Sequence, residues 1–104
     1  MSIETGKYFS PMSETMLYML FSLNEERHGW GIMQRVNELT KGRIELGAGT
    51  IYQTLGKLEK ARLIKATREE ERRKYYIITI HGKTILQEET RRIAEIYYNL
   101  EGLL

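Results

Sequence analysis

The chain has no cysteine, no aspartate, one proline and one tryptophan in 104 residues. Without cysteine there are no disulfides and no thiolate metal sites, which suits a reducing, cytoplasmic setting. Without aspartate a Ser-His-Asp set cannot be assembled. His28 and His81 are the two histidines, and neither has an acidic partner at metal-ligand spacing. Phosphate-loop and dinucleotide glycine patterns are absent too. No apolar run approaches the roughly 18 residues of a membrane span. Met1–Met12 is mixed and polar, without the apolar centre of a signal peptide. There is no internal repeat. These absences predict no enzyme, no metal and no cofactor, and they turn the reading toward binding.

What is present is an uneven distribution of charge. The net charge is only +2, so location matters more than total. Between Lys57 and Lys74 stand Lys57, Lys60, Arg62, Lys65, Arg68, Arg72, Arg73 and Lys74, against Glu59, Glu69, Glu70 and Glu71. That is half of the chain's 16 basic residues. The acidic residues weigh more heavily near the end, at Glu88, Glu89, Glu95 and Glu101.

Three helices are expected before this basic region. Ser13 is a good N-cap for the first, in which Met16, Leu17, Met19, Leu20 and Leu23 recur at helical spacing. The second runs from Trp30 to Leu39, with Ile32, Val36 and Leu39 on one side and Gly42 as its stop. Arg43–Leu46 alternates, with one side able to pack. Gly47 or Ala48 opens the third, where Ile51, Leu55 and Leu58 share an inner face. Gly49, Gln53, Gly56, Lys57 and Lys60 fall opposite, with Thr50 and Tyr52 at the margins.

A hairpin should follow. Leu63–Arg68 reads as one strand, Glu69–Arg72 as a polar turn, and Lys74–Ile80 as a β-prone return. Tyr75 and Tyr76 should point to opposite faces. From about Ile80 onward the chain reads as a long helix of about 24 residues, or roughly 36 Å. Leu86, Ile93 and Leu100 share one heptad position, and Ile96 and Leu103 another, while Glu89 interrupts the second. Such a seam predicts a second copy of the chain as its partner.

The predicted fold class is α+β, mainly α: a winged helix-turn-helix over residues 1–80, with the wing at about 64–80. A C-terminal dimerisation helix over 81–104 packs as part of the same compact unit. The motifs are more specific still. Gly29-Trp30-Gly31-Ile32, Gly49-Thr50-Ile51-Tyr52 with Leu55, Leu58 and Glu59, Leu63-Ile64, Arg72-Arg73-Lys74-Tyr75-Tyr76, and Thr79 with Gly82 stand in register. Together they resemble the PadR family of bacterial transcriptional regulators over about residues 13–82. Gln53, Ala61-Arg62 and Glu71 depart from the family pattern, which often has Pro, Glu-Gly and Gly there.

The resemblance implies a homodimeric, sequence-specific repressor that binds double-stranded DNA. A helix about 10–12 Å across fits the major groove. Thr50, Tyr52, Gln53 and Lys57 are the candidate groove residues, and Gln53 carries the donor and acceptor that match adenine. Arg72, Arg73 and Lys74 are candidates for the flanking phosphates or a narrow minor groove. Each has a plainer reading: Gln53 as solvated surface, Tyr52 as a packing residue, the basic run as a solvated turn. Leu86, Ile93, Ile96, Tyr97, Leu100 and Leu103 are the candidate dimer interface. Many similar regulators are repressors released by a small molecule or stress signal, and some bind drugs in a flat apolar pocket; for a small apolar or aromatic effector here Met16, Met19, Ile93 and Tyr97 are the candidates. Trp30, the lone tryptophan, stands where the family has a packing aromatic. The rival reading is a winged-helix protein-interaction or dimer scaffold module, favoured by the modest net charge and Glu69–Glu71.

Overall fold

A computed structural model of the chain describes residues 11–104. The polar lead Met1–Ser10, read above as lacking a signal peptide, lies outside the described residues. The order of elements is α1 (Glu14–Ser22), β1 (Arg27–His28), α2 (Gly29–Leu39), α3 (Ala48–Lys60), β2 (Ile64–Glu70), β3 (Arg73–Ile78) and α4 (Ile80–Leu100), ending in a short 3-10 turn, Glu101–Leu103. No described helix is long and apolar enough to cross a membrane.

Local signals set the helix ends. The Ser13 hydroxyl accepts from the Met16 amide and starts α1. The Thr79 hydroxyl does the same for Gly82 at the start of α4. Helix α3 ends in a Schellman turn: the Leu63 amide donates to the Leu58 carbonyl and the Arg62 amide to that of Glu59. Arg62 takes the left-handed conformation this requires, φ +63°. Helix α2 closes similarly, with both Lys41 and Gly42 at positive φ.

The helical periodicity fills one core. Met19, Leu20 and Leu23 of the first helical segment meet Ile32 and Val36 of α2, Ile51, Leu55 and Leu58 of α3, and Leu63, Ile64, Tyr76 and Ile78 of the hairpin. Ile85 of α4 joins them. Burying an aliphatic side chain contributes about 1.5–3 kcal/mol, so these residues carry most of the favourable term. The segment Arg43–Leu46 forms no strand, though Leu46 is buried. Arg43 instead reaches Glu14 with both guanidinium nitrogens, at 3.0 and 2.7 Å.

Two features of the sheet differ from expectation. It has three antiparallel strands in the order β1-β3-β2, because Arg27 and His28 pair with Tyr76 and Tyr75. A two-residue strand is too short to show alternation. The hairpin turn is also tighter than the four residues expected: only Glu71 and Arg72 lie between the strands. Both have positive φ, 53° and 68°, as a type I′ turn requires. A bulge at Thr67 shifts the register between Ala66 and Arg68.

Glu89 does not merely interrupt a seam. It is buried, and its carboxylate accepts from the Met12 amide at 2.6 Å and from Arg92 at 2.8 Å. This ties α4 to the segment leading into α1. Beyond that point α4 leaves the core: Ile93, Ile96, Tyr97, Leu100 and Leu103 are all exposed. Leu86 is partly buried against the core of its own chain.

Candidate nucleic-acid interface

Helix α3 presents a clean division. Ile51, Leu55 and Leu58 are at most 1% exposed, while Thr50, Tyr52, Gln53, Gly56 and Lys57 face solvent. Its N-cap, Gly47, offers no side chain to the first-turn amides, and no acidic residue stands in that turn. The helix therefore begins with free N–H groups and an uncompensated positive dipole end, which favours an anion such as phosphate. A Cβ added at Gly49 or Gly56 would meet nothing within 4 Å. No contact within the fold requires glycine at either place, and the outer face of α3 is left low and open.

Tyr52 is 63% exposed, so it is not a core residue. It still has a structural neighbour. A Cβ on Gly29 would lie 3.2 Å from the Tyr52 hydroxyl oxygen, so the phenol end sits over the first residue of α2. Its counterpart Tyr76 is buried, and burial first, then the charges of Glu59 and Tyr52, push the Tyr76 phenol up from its ordinary pKa.

The wing sorts its cations into two kinds. Arg68 is structural. Its guanidinium lies 3.8 Å from the centre of the Tyr75 ring, donates to Glu26 at 3.0 Å, and also pairs with Glu70. The hydrogen bond it donates to Glu26 raises its pKa from the ordinary arginine value. In return, hydrogen bonds from Thr67 and Arg68 hold the Glu26 carboxyl below its usual range. His28 also meets the Tyr75 ring, edge to face at 5.0 Å.

The other basic residues of the region are unengaged. Lys57, Lys60, Arg62, Lys65, Arg72, Arg73 and Lys74 are exposed, and none forms an ion pair among the described residues. Lys74 lies loosely over the Tyr76 ring at 5.9 Å. Arg72 occupies the turn itself, while Arg73 and Lys74 open β3. Lys60, Arg62 and Lys65 enlarge the surface beyond the residues first singled out. The density of basic residues between positions 57 and 74 was the signal for them.

Other expectations need correction. Trp30 is 58% exposed and is not a packing aromatic. The buried position is its neighbour Gly29, and one step along a helix turns the next side chain about 100° away. Met19 is fully buried in the core, so it does not line an open pocket, and Met16 is partly buried against the same core. The apolar groove between α1 and α4 is lined by Leu17, Tyr18, Phe21, Leu86, Ile93 and Ile96. Of the four effector candidates, Ile93 alone borders that groove. No group of residues that could hold a metal ion occurs among the described residues.

A helical triad carrying a two-stranded ribbon beside its third helix, with a further strand from the loop before α2, defines a winged helix-turn-helix protein. The chain belongs to the transcriptional regulator PadR-like family, whose model matches residues 16–88. That family is one of regulators, not of enzymes. An uncharacterised protein of Lysinibacillus sphaericus is 32% identical over 78 residues, covering 71% of this chain and 72% of its own length. A PadR family transcription regulator from hypervirulent Clostridium difficile superposes with a TM-score of 0.76 at 25% identity, over 88% of this chain and 98% of that one. A transcriptional regulator from Clostridium thermocellum shares the fold with a TM-score of 0.73 at 18% identity, over 97% and 98% of the two chains.

Proposed function

We propose that the chain is a cytoplasmic, homodimeric, sequence-specific DNA-binding repressor. The observation that carries this reading is the surface of seven unpaired cations on α3, its exit and the wing, next to an α3 face of small and polar residues. A structural surface would pair such charges, as Arg68 is paired. Here they stand ready to neutralise phosphates and release counterions. Each copy would set α3 in a major groove, with Thr50, Tyr52, Gln53 and Lys57 toward the DNA, and rest Arg72, Arg73 and Lys74 on the flanking backbone. The exposed apolar stripe that runs from Ile93 on α4 to Leu103 in the terminal 3-10 turn supports pairing of two copies, since contiguous exposed apolar surface marks interfaces. On this division residues 1–80 bind DNA and 81–104 dimerise. Two-fold symmetry then sets an inverted-repeat operator with half-sites about 34 Å apart. A flat apolar effector would enter between α1 and α4, beside that dimer seam.

The test is binding to the chain's own promoter fragment as salt is varied. Affinity should fall steeply with salt and exceed that for a scrambled duplex. Arg73→Ala should weaken binding to every sequence and lower the salt slope by about one, whereas Gln53→Ala should mainly relax preference at one base pair. A salt-independent affinity, or none at all, would support the protein-interaction reading instead.

A further inference from the structure

Trp30 is the one tryptophan of the chain and stands 58% exposed in the first turn of α2. Its indole N–H has no partner among the described residues. The surroundings say what it faces. Its neighbour Gly29 lies under the Tyr52 hydroxyl, so the start of α2 abuts the Tyr52 side chain of α3. His28, the N-cap of α2 two positions before Trp30, contacts Tyr75 of the wing with its ring and feels the charge of Arg73. The start of α2 is thus set between the recognition-like helix and the basic hairpin.

We infer that Trp30 and Tyr52 form an aromatic edge that grips the sugar-phosphate backbone of duplex DNA beside the groove entered by α3. This rests on the DNA-binding reading above. Three facts favour DNA over an apolar partner. Trp30 and Tyr52 are the only exposed large apolar side chains on α2 and α3 among the described residues, too few for a hydrophobic protein contact. Both carry a donor at the outer end of an apolar ring, which suits a phosphate oxygen above a sugar. No acidic residue stands in the first turn of either helix, and Arg73 of the wing, in no ion pair among the described residues, acts on His28. Glu26, just before β1, is already held by Arg68. Glu59, whose charge acts on Tyr76 beside Tyr52, is outnumbered by the exposed cations Lys57, Arg72, Arg73 and Lys74, and the complementary partner is a polyanion.

Because Trp30 is alone, its fluorescence reports on this edge directly. The experiment titrates an unlabelled promoter duplex against the protein while following tryptophan emission, and a fluorescein-labelled duplex in parallel by anisotropy. Emission should change with the same midpoint as the anisotropy. Trp30→Ala, checked for unchanged helicity, should lose about 5- to 20-fold in affinity for promoter and scrambled duplex alike, with the salt slope unaltered, since no ionic contact is lost. Trp30→Phe should recover only part of that loss. Anisotropy-detected binding with unchanged emission, or with full affinity in Trp30→Ala, overturns the aromatic edge and leaves the DNA reading standing. A loss confined to the promoter sequence also overturns it, because it would make Trp30 a base-reading residue. No binding of the wild-type chain in either assay overturns both.

Discussion

The Thr79 hydroxyl donates to the Arg62 carbonyl at 2.8 Å. The same oxygen accepts from the Gly82 amide at 3.0 Å, and the Thr79 amide donates to the Leu63 carbonyl at 2.9 Å. The exit of α3 and the entry of α4 are therefore one hydrogen-bonded joint. Helix α3, proposed to face DNA, and α4, proposed to carry the dimer stripe, are held in a fixed relation by it. Gly82 makes the joint close enough: a Cβ there would lie 2.1 Å from the Leu63 carbonyl oxygen and 2.8 Å from an Ile78 side-chain carbon. Gly82→Ala must push α4 off the hairpin, at a cost of about 3 kcal/mol, the upper part of the range for an overpacked core. Thr79→Ala, losing a helix cap, should cost about 1–2 kcal/mol. Urea unfolding of both variants checks the order. If Gly82→Ala is the milder of the two, the close approach is not as tight as this geometry implies.

Two departures from the family pattern acquire a backbone reason. Arg62 and Glu71 stand where Gly is frequent, and both have left-handed φ, +63° and +53°. A residue with a Cβ costs roughly 1–2 kcal/mol in that conformation. Glycine removes the strain but adds freedom to the unfolded chain, so a net gain of about 0.5–1 kcal/mol is expected for Arg62→Gly and for Glu71→Gly. Glu71→Gly also removes a carboxylate from the wing tip, so DNA affinity should rise at low salt. Arg62→Gly removes an exposed cation, so its gain in stability should come with weaker binding. Thermal unfolding and a salt titration separate the two effects, and a destabilised Glu71→Gly would contradict the strained turn.

Periodicity made the inner face of α3 legible because Ile51, Leu55 and Leu58 do what a 3.6-residue repeat demands of a half-buried helix. The same logic failed in the wing. Strand β2 is exposed from Lys65 to Glu70, so neither of its faces needed apolar residues, and Glu69-Glu70 looked like turn. Glu89 was misread for a different reason. A carboxylate on an apolar stripe signals a break unless its partner is known, and the Met12 amide is 77 positions away in sequence. Trp30 was misplaced because the family pattern suggested a packing aromatic there, while helix phase gave the inner position to Gly29. The candidate DNA residues were readable as a surface. Which of their charges stay unpaired depended on the partners Arg68 finds across the fold.

His28 gives the stability of the fold a pH dependence. Its Nδ1 accepts from the Gly31 amide at the start of α2, a long contact at 3.5 Å that needs an unprotonated nitrogen. Burial, then the positive charges of Arg73 and Arg68, hold its pKa below the ordinary value. The unfolded chain therefore takes up the proton at a higher pH than the folded one. Stability is full above the unfolded pKa of about 6.5 and declines as pH falls toward the folded value, where it levels off. Glu14 and Glu26, held below the usual carboxylate range by Arg43 and by Thr67 with Arg68, lose their contributions at more acidic pH. The urea midpoint should thus begin to drop as pH falls through about 6.5, the unfolded imidazole value. His28→Asn keeps a capping acceptor without the titration, and it should flatten this dependence. The same slope in that variant would place the proton elsewhere.

The stripe on α4 can be tested apart from the fold that bears it. Ile93 is 40% exposed and borders the groove between α1 and α4. A glutamate there faces water in a monomer, so the single chain should keep its helicity. In a two-fold dimer the change acts twice, placing two carboxylates in an apolar seam without cationic partners. Ile93→Glu should therefore sediment as a monomer. It should also lose the avidity of two linked half-sites, worth on the order of 10²–10⁴ in affinity. Ile80→Glu is the matched control: Ile80 is 85% exposed at the first turn of α4, off the heptad positions of Ile93 and Leu100. It should leave both dimer and DNA binding intact. An Ile93→Glu protein that remains a DNA-binding dimer would move the interface away from this stripe, and equal loss in both variants would mark a general intolerance of charge on α4.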